Sequence, residues 1–128
     1  MTFEEDFQII KNLTEIQSCS GSEDKIRQYI KETIENYCDN VDIDVLGNLY
    51  CFINGKSQTQ DANLNIMLDA HMDEIGFMVR FIDKNGFLRF SQVGGQNPRI
   101  LPGQIVTIRS TSGEDIVGII GEKPIFIN

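Results

Sequence analysis

The sequence is poor in basic residues and contains no long apolar run. Eleven lysines and arginines stand against 19 aspartates and glutamates, which gives a formal net charge of −8. Such an acidic chain does not attract phosphate backbones or anionic lipid surfaces, so we expect neither a nucleic-acid nor a membrane partner. No apolar run approaches the roughly 20 residues of a membrane span, and the first residues lack the basic and apolar segments typical of a secretory signal.

Cysteine and histidine are also scarce. The three cysteines, Cys19, Cys38 and Cys51, are odd in number and widely spaced, so they form neither a CxxC pair nor an even disulfide framework. We therefore expect reduced thiols in a cytoplasmic protein. A cysteine nucleophile needs a basic neighbour, and only one histidine, His71, is present, so core packing is the expected role of all three cysteines.

The apolar residues that are present suffice for a folded core. Of 128 residues, 41% are hydrophobic, and at this length one compact domain or two small ones are expected. Apolar positions recur every three or four residues over 3–16 and 26–37, which predicts two amphipathic helices. The second helix is expected to begin at a capping box formed by Ser20 and Glu23, or at a cap formed by Ser22.

Beyond residue 40 the pattern changes to the alternation and short apolar runs of strands. Strands are expected at 41–45, 49–53, 64–70, 75–82, 87–93, 104–109 and 116–120, with a polar loop at 55–63. Two helices followed by about seven strands indicate an α+β arrangement or pieces of two domains.

The single histidine has unusual neighbours. Asp69, Asp73 and Glu74 lie within three residues of His71, directly after an apolar stretch. Side chains two apart in an extended segment point the same way, so Asp69, His71 and Asp73 are expected on one face. A metal-bound imidazole typically donates its other N–H to a carboxylate, and His-x-Asp supplies that pair. The same pattern also fits a plain ion pair at a strand end, and both interpretations stay open.

The motif by itself holds too few ligands for a catalytic metal. A catalytic zinc takes three protein ligands, and a two-metal centre takes more. Here one imidazole and at most one direct carboxylate are offered, so further ligands are expected from distant carboxylates or from outside this chain.

Several segments, in the same order, resemble the tetrahedral or glutamyl aminopeptidases, metallopeptidase family 42. They are Ser20–Asp24, Leu46–Leu49, Leu68–Val79 around His71, Gly94–Gln104 and Gly118–Pro124. The similarity runs through essentially all 128 residues and corresponds to roughly the first third of such an enzyme.

The resemblance implies a metal-dependent aminopeptidase that releases N-terminal residues from peptides at a centre of two divalent ions, zinc or cobalt. His71 would bind one ion, Asp73 would act in catalysis by orienting that imidazole, and Glu74 would make a structural hydrogen bond. Residues 1–72 would belong to an α/β/α catalytic domain, and residues 73–128 to the start of an inserted β-barrel-like dimerisation domain. The full-length protein would be a homo-oligomer.

The rest of the family's machinery is expected beyond the last residue of this sequence, so we expect the 128-residue chain alone to be inactive. A different class of function is also open. The chain could be a free-standing, non-catalytic, β-rich module for self-association or partner binding. A defined dimer that is insensitive to chelator would favour this alternative.

Overall fold

The computed structural model describes residues 2–55 and 64–122. Two helices precede six strands in that part of the chain. Their order is α1 (Phe3–Glu15), α2 (Asp24–Ile34), β1 (Asn40–Ile43), β2 (Leu49–Phe52), β3 (Gly76–Ile82), β4 (Leu88–Val93), β5 (Ile105–Arg109) and β6 (Asp115–Ile119). Short 3-10 turns occur at Glu35–Tyr37 and Pro98–Ile100. The predicted loop at 55–63, apart from its first residue, and the last two residues of the motif Gly118–Pro124 lie outside the described residues.

The first helix begins with a capping box that the sequence interpretation missed. The Thr2 hydroxyl accepts from the backbone N–H of Glu5 at 3.4 Å, and the Thr2 N–H donates to the Glu5 carboxylate at 2.7 Å. Thr2 and Glu5 stand in the T-x-x-E pattern that the sequence displays. The acidic first turn (Glu4, Glu5 and Asp6) is also favourable at a helix N-terminus.

The predicted capping box of the second helix is wrong. Helix α2 starts after Glu23 with no side-chain cap, and the Glu23 carboxylate accepts from the Gly21 N–H at 2.6 Å. The Ser20 hydroxyl donates instead to the carboxylate of Asp73, a residue 53 positions away. The Ser20 hydroxyl therefore binds a residue distant in sequence, Asp73, and does not cap the helix as the local pattern predicted.

The two helices pack through their apolar stripes. Asn12 donates to the Tyr29 hydroxyl at 3.0 Å across the contact. Ile9, Leu13, Tyr29, Ile30, Thr33 and Ile34 line a small apolar cavity of about 90 Å³. Ile26 on α2 is 5% exposed, and Ile120, at 7%, is the other buried apolar residue among the described residues. The apolar core is therefore small in this part of the chain.

Each described strand pairs with its neighbour in sequence to form an antiparallel hairpin. β1 and β2 pair from Asn40 opposite Phe52 to Ile43 opposite Leu49. β3 and β4 pair with a bulge between Val79 and Phe81. β5 and β6 pair without irregularity. The chain divides into two compact units, Met1–Gly94 and Gly95–Asn128, and the β5–β6 hairpin belongs to the second.

The turn of the first hairpin is organised by one carboxylate. Asp44 Oδ1 accepts from the backbone N–H groups of Leu46 and Asn48, both at 2.9 Å, and its Oδ2 accepts from the Asn48 side chain at 2.8 Å. The Asn48 side chain and backbone lower the pKa of Asp44, while slight burial acts in the opposite direction. Gly47 in this turn has φ of +87°, which favours glycine.

The predicted strand at 64–70 does not form. This segment is irregular, and its apolar side chains are exposed, with Leu68 at 93% and Met67 at 81%. A strand requires a neighbouring strand to bond its backbone, and none of the six described strands pairs with this segment. Seven strands were expected, and six form in the residues that the structure describes.

All three cysteines are free thiols, as predicted. Cys19 and Cys38 are half-buried, but Cys51 is exposed, so the packing role predicted for Cys51 is wrong. Cys51 lies on a two-stranded hairpin, which leaves much of its surface open. No helix in residues 2–55 and 64–122 has the length and apolarity needed to cross a membrane.

Candidate functional site

His71 and Asp73 contact each other in the segment that leads into β3. The imidazole Nδ1 lies 2.9 Å from the backbone carbonyl oxygen of Asp73 and 3.1 Å from its carboxylate Oδ1. The His71 side chain is 86% exposed and that of Asp73 is 38% exposed. The structure therefore brings together the predicted His-x-Asp pair, with Nδ1 occupied and Nε2 on the other side of the ring.

Ser20 reaches the same carboxylate from the loop between the two helices. Its hydroxyl donates to Asp73 Oδ2, while Oδ1 faces the imidazole. The Ser20 hydrogen bond is the largest influence on the pKa of Asp73 and lowers it, partial burial acts in the opposite direction, and His71 lowers it further. Asp73 is thus held as a carboxylate between a hydroxyl and an imidazole.

The loop that carries Ser20 is joined to the segment after Asp73 by backbone hydrogen bonds. The Glu74 N–H donates to the Ser18 carbonyl at 2.9 Å, and the Ser18 N–H donates to the Glu74 carboxylate at 3.1 Å. Cys19 and Glu74 form a parallel bridge. Ser18 is only 3% exposed, so these bonds satisfy buried groups. The structural hydrogen bond expected of Glu74 is confirmed.

Glycine allows this close approach. A Cβ placed on Gly76 would lie 2.6 Å from Cys19 Sγ, which is closer than real Cβ atoms come to a neighbour. The first residue of β3 must therefore be small for the Cys19 loop to lie against it.

The site opens into a cavity of about 300 Å³. Its lining consists of Glu23, Leu46, Gly47, Asn48, Asp69, Ala70, His71, Met72 and Asp73. Arg27 supports the wall by donating to the Gly47 carbonyl at 3.2 Å, and it also pairs with Asp24. Three carboxylates and one imidazole line the cavity, and negative charge of this kind attracts cations.

The donor set in this cavity can supply part of a metal site. Because both acceptors at Nδ1 lack a proton to donate, Nδ1 carries the N–H and Nε2 is left as a ligand. Among the residues that the structure describes, no group of three histidine, cysteine, aspartate or glutamate side chains could hold a metal ion. The residues fit one imidazole ligand with its orienting carboxylate, and they do not complete a coordination sphere.

Asp69, the third member of the predicted face, lines the same cavity as His71 and Asp73. The sequence interpretation did not find the contribution of Ser20 and Ser18. Ser20 matched a helix cap, and nothing in the local pattern indicates a partner 53 residues away. Only the three-dimensional approach of the two loops reveals this contact.

Comparison with known proteins identifies similar sequences. The family model described as M42 glutamyl aminopeptidase matches residues 47–128. The glutamyl aminopeptidase of Lactococcus lactis is 38% identical over 118 residues, which cover 92% of this chain and 32% of that enzyme. The chain spans about a third of the length of the curated relatives it matches.

Solved structures share the fold. An aminopeptidase from the archaeon Desulfurococcus kamchatkensis matches with a TM-score of 0.83 at 36% identity, over 93% of this chain and 32% of that chain. The TET1 peptidase of Pyrococcus horikoshii, which can assemble into a tetrahedron or a large octahedral shell, matches with a TM-score of 0.76 at 34% identity, over 92% and 33% of the two chains. The predicted fold class, a mixture of helices and strands, is confirmed, and the chain corresponds to about a third of each of these solved structures.

Proposed function

This chain belongs to the M42 glutamyl aminopeptidase family, and we propose that it forms part of a metal-dependent aminopeptidase that releases N-terminal residues from peptides. The observation that carries the proposal is the His71–Asp73 pair at a cavity lined by carboxylates. An imidazole whose Nδ1 is fixed by a carboxylate is the arrangement typical of a metal ligand.

The proposed roles follow from the contacts. The Asp73 carboxylate accepts the hydrogen bond from Nδ1–H and fixes the ring, and Nε2 of His71 would bind one of two divalent ions, zinc or cobalt. The ions would supply Lewis acidity, polarising the carbonyl of the scissile peptide bond and activating water. Glu74 is assigned a structural role, because its carboxylate accepts from the Ser18 N–H.

The remaining ligands and the general base are proposed to lie outside this chain. The absence of any three-ligand group among residues 2–55 and 64–122 supports this, as does the coverage of about a third of the relatives. We therefore propose that the 128-residue chain is inactive alone. Residues 1–72 would contribute to the catalytic domain and residues 73–128 to an inserted dimerisation domain of a homo-oligomeric enzyme.

The exposed apolar side chains favour this proposal over a free-standing module that works as a monomer. Leu64, Ile66, Met67 and Leu68 are each at least 78% exposed, and within the described ranges only Ile26 and Ile120 are buried apolar residues. A module that functions by itself would bury such a run, because apolar surface left in water forfeits about 25 cal/mol per Å². The run is instead suited to packing against further parts of a larger polypeptide.

The test is made on the native protein, captured from its source cells with an antibody against this chain. Its intact mass is measured, and release of N-terminal residues from a panel of aminoacyl-p-nitroanilides is assayed with added zinc or cobalt. We expect a species well above 14.5 kDa that is active, with activity lost in a strain carrying His71→Ala.

Two results would contradict the proposal. A native species of 14.5 kDa that forms a chelator-insensitive dimer and cleaves nothing would establish the binding module instead. Peptidase activity of the purified 128-residue chain, abolished by His71→Ala, would overturn the proposed need for further ligands. A matched control, Asp42→Ala on β1, changes an exposed carboxylate away from the cavity and should leave both readouts unaltered.

A further inference from the structure

We infer that Ser20 is a positioning residue for His71, holding Asp73 so that the neutral imidazole stays in its Nδ1–H tautomer with the Nε2 lone pair directed away from Asp73. The inference rests on the proposed function only for what Nε2 then binds. The arrangement of proton donors and acceptors itself follows from the contacts of Ser20, Asp73 and His71.

The tautomer follows from what surrounds Nδ1. Its two neighbours are the backbone carbonyl of Asp73 at 2.9 Å and the carboxylate Oδ1 at 3.1 Å. Both are acceptors only, so a favourable contact requires the proton on Nδ1. Nε2 is then the unprotonated nitrogen. A neutral imidazole in water prefers the opposite tautomer, so this one must be imposed by the protein.

Ser20 acts by fixing the orientation of the carboxylate. The last torsion of an aspartate side chain is broad and roughly two-fold, so nothing within Asp73 itself keeps Oδ1 against the ring. The Ser20 hydroxyl takes Oδ2, which leaves Oδ1 for His71. Because the Asp73 side chain is 38% exposed, water would compete for both oxygens without this hydrogen bond.

Ser20 is itself held in place by the joined loops. Two hydrogen bonds between Ser18 and Glu74, at 2.9 and 3.1 Å, fix the backbone two residues before Ser20 to the residue directly after Asp73. The bridge between Cys19 and Glu74 extends this contact. Ser20 itself is exposed, but the buried backbone contact beside it holds its hydroxyl next to the Asp73 carboxylate.

The experiment uses the fact that the chain has one histidine. Long-range ¹H–¹⁵N correlation spectra of the metal-free 128-residue chain at about pH 8.5, roughly two units above the ordinary histidine pKa, report the imidazole tautomer without ambiguity. We expect the Nδ1–H form in the wild type. Ser20→Ala should lower the ratio of Nδ1–H to Nε2–H by up to roughly fivefold, the factor for the complete loss of one hydrogen bond to the carboxylate, because the Asp73 carbonyl at 2.9 Å remains as an acceptor.

Two variants serve as controls. Ser20→Thr keeps the hydroxyl and should restore the wild-type tautomer. Ser22→Ala removes a hydroxyl from the same loop, on an exposed residue outside the contact with Asp73, and should change nothing. Backbone amide spectra check that each variant is folded. If Ser20→Ala does not fold, Ser20→Cys, whose thiol is a weak donor, replaces it and should give a smaller shift in the same direction.

An unchanged tautomer in folded Ser20→Ala or Ser20→Cys, or an equal shift in Ser22→Ala, would overturn the inference. Addition of zinc or cobalt to the wild type separates this result from the proposed function. A response at the Nε2 resonance supports metal ligation by His71. Because the described residues offer one imidazole ligand and no complete site, the metal assignment fails only if the native protein keeps its activity in His71→Ala, while the tautomer comparison decides the role of Ser20.

Discussion

Glu74 holds Ser18 with both its backbone and its side chain: its N–H donates to the Ser18 carbonyl, and its carboxylate accepts from the Ser18 N–H. One residue thus closes a ring of hydrogen bonds around a serine that is 3% exposed. The contact joins the loop between the helices to the segment that carries His71 and Asp73. The site therefore depends on a tertiary contact that lies beside it.

Replacing Glu74 should destabilise the chain without removing any side chain from the cavity. Glu74→Ala leaves the buried Ser18 N–H without its acceptor, and an unsatisfied buried group costs about 1–3 kcal/mol. Denaturant unfolding of the 128-residue chain measures the loss. Glu15→Ala, which removes an exposed carboxylate on α1, should stay within about 0.5 kcal/mol of the wild type. Equal stability of the two variants would contradict the structural role of Glu74.

Gly76 should not tolerate even a methyl group. In Gly76→Ala the added Cβ would meet Cys19 Sγ at 2.6 Å, and overpacking of this kind costs about 1–3 kcal/mol. Gly95→Ala is the control, because nothing lies within 4 Å of the Cβ it would add. Thermal unfolding compares the two variants. Equal melting temperatures of Gly76→Ala and Gly95→Ala would contradict the close approach of the Cys19 loop to β3.

The turn of the first hairpin should weaken in acid. Hydrogen bonds led by those from Asn48 lower the pKa of Asp44 below its ordinary value of 3.8. A depressed carboxylate pKa contributes stability that is present above the unfolded-state pKa and is lost as the pH falls through the folded-state pKa. We expect stability to drop below about pH 4. The free energy of unfolding in urea, measured as a function of pH, should lack this decrease in Asp44→Asn. The same pH dependence in the wild type and in Asp44→Asn would refute the assignment.

Cys51 should alkylate slowly for an exposed thiol. Slight burial of its sulfur, and then the neighbouring Cys38 thiol, raise the pKa of Cys51 above the ordinary 9.0. Less thiolate is then present near pH 8.5, and the thiolate is the reactive form. Mass spectrometry after timed iodoacetamide treatment should show faster labelling of Cys51 in Cys38→Ala, and no change in Cys19→Ala. Identical rates in all three proteins would exclude an influence of Cys38.

Short-range patterns predicted most of the secondary structure. Helical periodicity located α1 and α2, and alternation together with short apolar runs located the strands of all three hairpins, in which each strand pairs with its neighbour in sequence. The segment 64–70 has the composition of a strand but lacks a partner among the described strands. A strand is a property of a pair of segments, and the pattern of one segment cannot supply the other.

The candidate site was predictable to the extent that its residues are close in sequence. His71 and Asp73 are two residues apart, and the rule that such side chains share a face in an extended segment places them together. Ser20 is 53 residues from Asp73, and its local S-x-x-E pattern pointed to a helix cap. Contacts between distant loops depend on packing, and no local pattern records them.

β3 begins at Gly76, directly after the segment that carries the His71–Asp73 pair. Only two residues separate Asp73 from Gly76. Three residues of extended chain span at most about 10 Å, so Asp73 cannot lie farther than this from the start of the β3–β4 hairpin. A displacement of that hairpin would therefore also displace the main chain at the His71–Asp73 pair.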